Sequence, residues 1–199
     1  QLIYLMNIDG SGIERVTQLR SRKPSWSPDG LQIAFTSVAD TIIVADLQQP
    51  REIALGGGAS ADWSPDAQQL VVDVPFPVSG IGIVAADGTG RRMLTPGAAF
   101  FSEPDWSPLG DWIAFADSLG SEWDIFLLPT DCLWDCEPQR IQLTSAGSRD
   151  IMPDWSRDGA RIAYVCDVDV CVLHVATGAI ERLTRLPPYA GAGAPAWRP

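Results

Sequence analysis

A five-residue phrase recurs along the chain. Trp26-Ser27-Pro28-Asp29-Gly30 returns as Trp63-Ser64-Pro65-Asp66-Ala67, as Trp106-Ser107-Pro108-Leu109-Gly110 and as Trp155-Ser156-Arg157-Asp158-Gly159, and a partial copy, Trp197-Arg198-Pro199, ends the chain. Successive tryptophans are 37, 43, 49 and 42 residues apart. A period of roughly 40 to 50 residues filled with short strands is the signature of a propeller blade.

The contents of one period agree. Residues 24–26 end a first strand. Ser27-Pro28-Asp29-Gly30 reverses the chain, with Pro fixing φ at the second turn position and Gly supplying a positive φ. Residues 32–36 and 41–45 are β-branched or apolar runs of strand length, and 51–55 form a more polar fourth strand. The same order recurs at 70–72, 82–84 and 92–95, at 112–115, 125–127 and 141–144, and at 161–164, 170–172 and 182–184. Four antiparallel strands graded from buried to exposed make one blade. Trp26, Trp63, Trp106, Trp155 and Trp197 are expected to pack between neighbouring sheets, where a large ring buries much apolar area.

The ends extend the pattern. Residues 3–17 read as the third and fourth strands of a blade, and residues 194–197 as the first strand of one. Joined, they give a fifth blade shared between the termini, which hides sheet edges. The second strand of that blade is missing from the sequence, so it lies upstream of Gln1 or the blade is three-stranded. The expected fold is therefore an all-β propeller of at least five four-stranded antiparallel blades. It forms a single domain over 1–199, with further sequence expected before residue 1.

At these residues the chain resembles the TolB-type, WD-like propeller repeat. The matches are residues 26–35, residues 3–12 with their strand and Asp-Gly-Ser turn, and Arg182-Leu183-Thr184. Ala67 in place of Gly, Leu109 in place of Asp and Arg157 in place of Pro are departures that touch single turns. The resemblance covers nearly the whole chain. It implies a protein-binding platform in a bacterial envelope, or the substrate-filtering propeller of a prolyl-oligopeptidase-like peptidase.

Composition narrows the partners. With a net charge of −11 over 199 residues, the chain is a poor match for nucleic acid, whose phosphates need a basic patch. No run of about 18 apolar residues is present to span a membrane. The four cysteines fall in two close pairs, Cys132 with Cys136 and Cys166 with Cys171. Local disulfides are the favoured pairing, over free thiols or zinc, whose knuckles usually space ligands differently. Disulfides place a protein outside the cytoplasm, in the periplasm, secreted or on the cell surface.

Catalysis finds little purchase. The one histidine, His174, sits in the strand run 172–175, and a Ser-His-Asp triad needs a histidine base. No Gly-x-Ser-x-Gly elbow is present. Polysaccharide-lyase propellers of this type use histidine-rich metal centres, which one histidine cannot build. Residues 10–12 and 87–90 are hairpin turns rather than phosphate loops, because neither opens a helix. Asp167 with Asp169, Asp150 with Asp154 and Asp131 with Asp135 offer oxygens but lack a calcium-loop pattern. Neither an enzyme, a cofactor nor a resident metal is expected.

A protein partner would meet the loops. Strand order puts the Ser-Pro-Asp-Gly turns and the third-to-fourth strand hairpins on one face, and the second-to-third strand loops and inter-blade links on the other. The second face is expected to carry Phe76, Phe100, Phe101, Trp123, Met152 and Tyr189 with Arg149 and Arg185, an aromatic and arginine mixture typical of binding hot spots. The alternative is the cysteine-closed loop on the turn face, tipped by Leu133 and Trp134. Two other readings stay open: a propeller that gates substrate for a larger enzyme, and a glycan or small-molecule binder in the central funnel.

Overall fold

Each full copy of the phrase sits in its own four-stranded antiparallel sheet. The computed structural model describes residues 1–18, 20–74, 79–95, 101–119, 122–133, 135–145, 147–187 and 191–197, with the side chains of Phe101, Ser102 and Leu119 left out. A two-stranded sheet, β1 (Tyr4–Leu5) and β2 (Glu14–Arg15), comes first. The first blade holds β3 (Ser21–Trp26), β4 (Gln32–Ser37), β5 (Thr41–Asp46) and β6 (Glu52–Gly57), and the second β7 (Ala61–Trp63), β8 (Gln69–Val74), β9 (Gly80–Ala85) and β10 (Arg92–Met93). The third holds β11 (Phe101–Trp106), β12 (Trp112–Leu119), β13 (Glu122–Pro129) and β14 (Ile141–Gln142), and the fourth β15 (Asp150–Trp155), β16 (Arg161–Cys166), β17 (Asp169–His174) and β18 (Ala179–Arg182). In every blade the strands pair in chain order, and the first strands of successive blades touch.

The repeated residues explain the repeated geometry. In the first blade Ser27 Oγ donates to Asp29 Oδ1 and accepts from the Gln32 N–H, while the Leu31 N–H donates to the same carboxylate oxygen. The bonds recur at Ser64/Asp66 and Ser156/Asp158. In the third blade, where Leu109 replaces the aspartate, Ser107 Oγ turns to Asp111 Oδ1 instead. A threonine that closes the N-terminal pair and the second, third and fourth blades has a second task. Thr17, Thr95, Thr144 and Thr184 accept the N–H of Ile3, Ile81, Ile125 and Val170, tying the end of a blade to the start of its third strand.

The core lies between blades. Ile42, Val44 and Leu55 of the first meet Trp63, Leu70 and Val84 of the second. Val71, Ile81 and Ile83 of the second meet Trp106, Phe115 and Phe126 of the third. Both predicted disulfides are formed, with Cα atoms 5.9 Å apart for Cys132–Cys136 and 5.8 Å for Cys166–Cys171. Each is buried in an inter-blade cluster.

Two expectations need correction. Trp63, Trp106 and Trp155 are buried, at 3, 8 and 7% exposure, but Trp26 is 53% exposed. Each ring packs on the preceding blade, and before Trp26 stands only the pair β1–β2. The fifth blade shared between the termini does not form among the described residues. β1 pairs only with β2, and residues 191–197 lie in no strand. The reason is steric order: a first and a third strand are neighbours of a second strand, not of each other, and no strand among the described residues stands between β1 and residues 194–197.

Candidate binding surfaces: the channel and the two loop faces

The inner strands build the first site. In the first, third and fourth blades a proline stands two residues before the repeat tryptophan, and Pro lacks the N–H that a ladder needs. The ladder slips there, between Arg22 and Ser25, Ser102 and Asp105, and Ile151 and Asp154. The residue before each proline, Lys23, Glu103 or Met152, takes a positive φ of 51, 56 or 58°. Strained non-glycine backbone of this kind persists only where surrounding contacts hold it. The second blade has Ala61 in place of proline and shows no slip.

These bulges aim side chains at a cavity of about 270 Å³, lined by Lys23, Ser25, Asp62, Glu103, Asp105, Met152 and Asp154 among others. Lys23 Nζ reaches Glu103 Oε1 at 3.5 Å, linking the first blade to the third. Below that pair runs a chain of latches. Asp62 Oδ2 accepts the Trp106 N–H at 2.9 Å, Asp105 Oδ2 the Trp155 N–H at 2.6 Å and Asp154 Oδ2 the Trp197 N–H at 2.9 Å. Ser25 Oγ donates to Asp62 Oδ1 at 2.9 Å. The second and third blades thus grip the backbone of the next, the fourth grips that of Trp197, and the first reaches the second through Ser25. Burial raises all three carboxyls above the ordinary aspartate range. Asp105 is raised furthest, because the charges of Asp62 and Asp154 add to its burial. The latches are visible in sequence as the recurring Asp-Trp dipeptide at 62–63, 105–106 and 154–155, a signal that turn and strand patterns alone pass over.

No family model matches the chain. Its fold has clear counterparts among solved structures. TolB from Acinetobacter baumannii superimposes with a TM-score of 0.76 at 20% identity, over 92% of this chain and 48% of that one. A putative TolB from Agrobacterium tumefaciens gives 0.75 at 22% identity, over 93% and 70%. The fold is that of a TolB-type β-propeller. The chain spans about half the length of the Acinetobacter protein. An oligogalacturonate lyase from Vibrio parahaemolyticus also matches, with a TM-score of 0.69 at 15% identity, over 94% of this chain and 60% of that one.

Within this TolB-type propeller the expected partner residues disperse. Phe76, Phe100, Trp134 and Tyr189 lie outside the described residues. Phe101 and Met152 belong to strands β11 and β15, not loops, and Met152 lines the channel because its bulge turns it there. Trp123, in β13, is half-buried against the core of the fourth blade. It shares a groove of about 200 Å³ with Glu122, Ser148, Arg149 and Asp167, so Trp123 and Arg149 are brought together. Asp167 accepts the Arg149 N–H, leaving the exposed guanidinium facing solvent. Arg185 is exposed beyond β18, and His174 is exposed at the end of β17.

On the turn face the cysteine loop is anchored at its base. The Cys136 N–H donates to the Leu94 carbonyl, and Arg92 donates to the carbonyls of Cys132 and Thr130. Its tip, Leu133, is 78% exposed. Of the aspartates weighed for calcium, Asp150, Asp154, Asp167 and Asp169 already accept hydrogen bonds. Asp169 accepts from the Leu186 N–H, Thr184 and Arg182, and Asp150 accepts from Ser148.

Proposed function

We propose that this chain is a non-enzymatic, protein-binding propeller of an extracytoplasmic assembly. One observation carries the reading: latched blades form a rigid platform, and the loop face still offers Trp123 and exposed Arg149 side by side in an open groove. Loops on a rigid scaffold are where binding residues concentrate. Two buried disulfides fit an oxidising compartment, and the TolB fold is used for protein binding in envelopes. Phe76, Phe100, Phe101, Tyr189 and Arg185 are proposed to extend the same contact surface, and the chain has no helix long and apolar enough to cross a membrane among the described residues. The test is capture from envelope extract on immobilised protein, comparing wild type with Trp123→Ala combined with Arg149→Glu. A partner retained by wild type and lost by the variant supports the reading. Equal retention by both moves the site elsewhere, and no specific retention removes the function.

A second reading, glycan binding in the channel, draws on the fold shared with oligogalacturonate lyase. Calorimetry with galacturonate oligomers decides it: heat that disappears in Lys23→Ala favours the glycan. The gating role in a larger enzyme would need a catalytic domain on the same polypeptide, which the intact gene reveals.

A further inference from the structure

The repeat supplies its own internal control. A residue that one blade changes while its siblings keep the standard one is not required by the fold. On the turn face three such changes fall on the third blade. At the first position of the second strand the other blades carry Gln32, Gln69 and Arg161, and the third carries Trp112. In the turn the others carry Asp29, Asp66 and Asp158, and the third carries Leu109, which is 66% exposed. The hairpin after the third strand is a short turn in the others and the disulfide-closed loop in the third.

These changes frame a groove of about 380 Å³ lined by Asp111, Trp112, Pro129, Thr130 and Asp131. Trp112 is half-buried, packed in part against the cluster of Ala114, Leu127, Trp155 and Ile162. The lip is acidic. Asp111 and Asp131 are exposed at the groove and exposed Asp135 follows on the loop, whereas half-buried Glu137 is paired with Arg140 at 3.0 Å. Among the described residues no ion pair engages Asp111, Asp131 or Asp135. The cation behind the loop, Arg92, is spent on the carbonyls of Thr130 and Cys132. The walls hold still, because Thr130 donates through its N–H to the Asp111 carbonyl and through its hydroxyl to the Gly110 carbonyl.

An indole flanked by carboxylates with no ion pair among the described residues fits a cation, through the ring's negative face and the charges beside it. The chain makes the same pairing internally, with Arg161 over Trp197 at 4.6 Å and Arg140 over Phe126 at 4.7 Å from the ring centre. We propose that the Trp112 groove takes an arginine or lysine side chain presented by a protein partner on the turn face of the third blade. The proposal rests on the protein-binding reading above but assigns the contact to the opposite face.

The probe is a synthetic peptide with one arginine between two leucines in a Gly-Ser background, with citrulline and glutamate versions as controls. It is titrated into the ¹⁵N-labelled chain. The arginine peptide should move the Trp112 indole signal and the Asp111 and Asp131 amides, and the glutamate peptide should not. Trp112→Gln installs the residue that the first and second blades tolerate at this position. It should weaken the arginine peptide about threefold or more, as should Asp131→Asn. Equal affinity for Trp112→Gln and wild type, at matched salt, would reduce the binding to diffuse attraction by an acidic protein and overturn the proposal. So would shifts centred on Trp123 and Arg149. A native partner that survives Trp112→Gln with Asp131→Asn but is lost with the Trp123 and Arg149 changes would end this proposal and leave the broader function intact.

Discussion

Two aspartates flank each repeat tryptophan in the second and fourth blades, and they behave in opposite ways. Asp62 and Asp154, one residue before the tryptophan, face the channel, where burial pushes their carboxyls up. Asp66 and Asp158, three residues after it, sit in solvent-facing turns, where the hydroxyls of Ser64 and Ser156 hold their carboxyls down. The residue type is identical and the separation is four positions. The inner aspartates join blades to each other, whereas the outer ones only shape a turn. Asp105 extends the inner set to the third blade, whose outer position has become Leu109.

The largest effect should come from a buried repeat tryptophan. Trp106→Ala opens a cavity between blades and should cost about 3 to 5 kcal/mol in a urea denaturation. Trp26→Ala should cost far less, since its ring is half in solvent. Equal losses would break the distinction between a ring with a complete neighbour and one without. Next in size, Asp62→Ala strands the Trp106 N–H and the Ser25 hydroxyl, for a loss of about 1 to 3 kcal/mol.

The opposite sign tests the inner pair. A carboxyl raised in the folded state supports folding below the ordinary aspartate pKa of about 3.9, and loses that support as pH rises through its raised value. Asp105→Asn keeps an acceptor for the Trp155 N–H without titrating. Its urea midpoint should match wild type near pH 4 and exceed it increasingly toward neutrality. The lowered outer aspartates should show the reverse: their support is present above about 3.9 and fades as pH falls through the lowered value. A flat difference between Asp105→Asn and wild type across that range would deny that Asp105 is raised in the folded state.

The outer turn should respond least. Ser156→Ala removes the hub of one turn and should cost about 1 kcal/mol. Ala67 occupies the glycine position with a φ of 59°, so Ala67→Gly should raise stability by about 1 kcal/mol or less. Thermal melts resolve both, and a destabilised Ala67→Gly would show that the alanine has been accommodated by contacts unique to the second blade.

Local chemistry is what made the turns readable. Ser, Pro, Asp and Gly at fixed offsets act on backbone atoms within five residues, so Ser27, Ser64 and Ser156 meet the partners that their spacing dictates. The local disulfides were readable for the same reason. The loop-face residues were not, because a bulge rotates Met152 from a link into the channel, and neighbouring blades bury one side of Trp123. Neither displacement leaves a trace in spacing.

By itself the sequence determined the strand order, the turn chemistry, the blade repeat and the cysteine pairing, all set by interactions between residues close in the chain. Only the tertiary structure decided which aspartates are raised, which tryptophan stays exposed and where an uncommitted aromatic groove opens. Those properties depend on burial against a neighbouring blade some 40 residues away, and burial is a property of packing that no single segment carries.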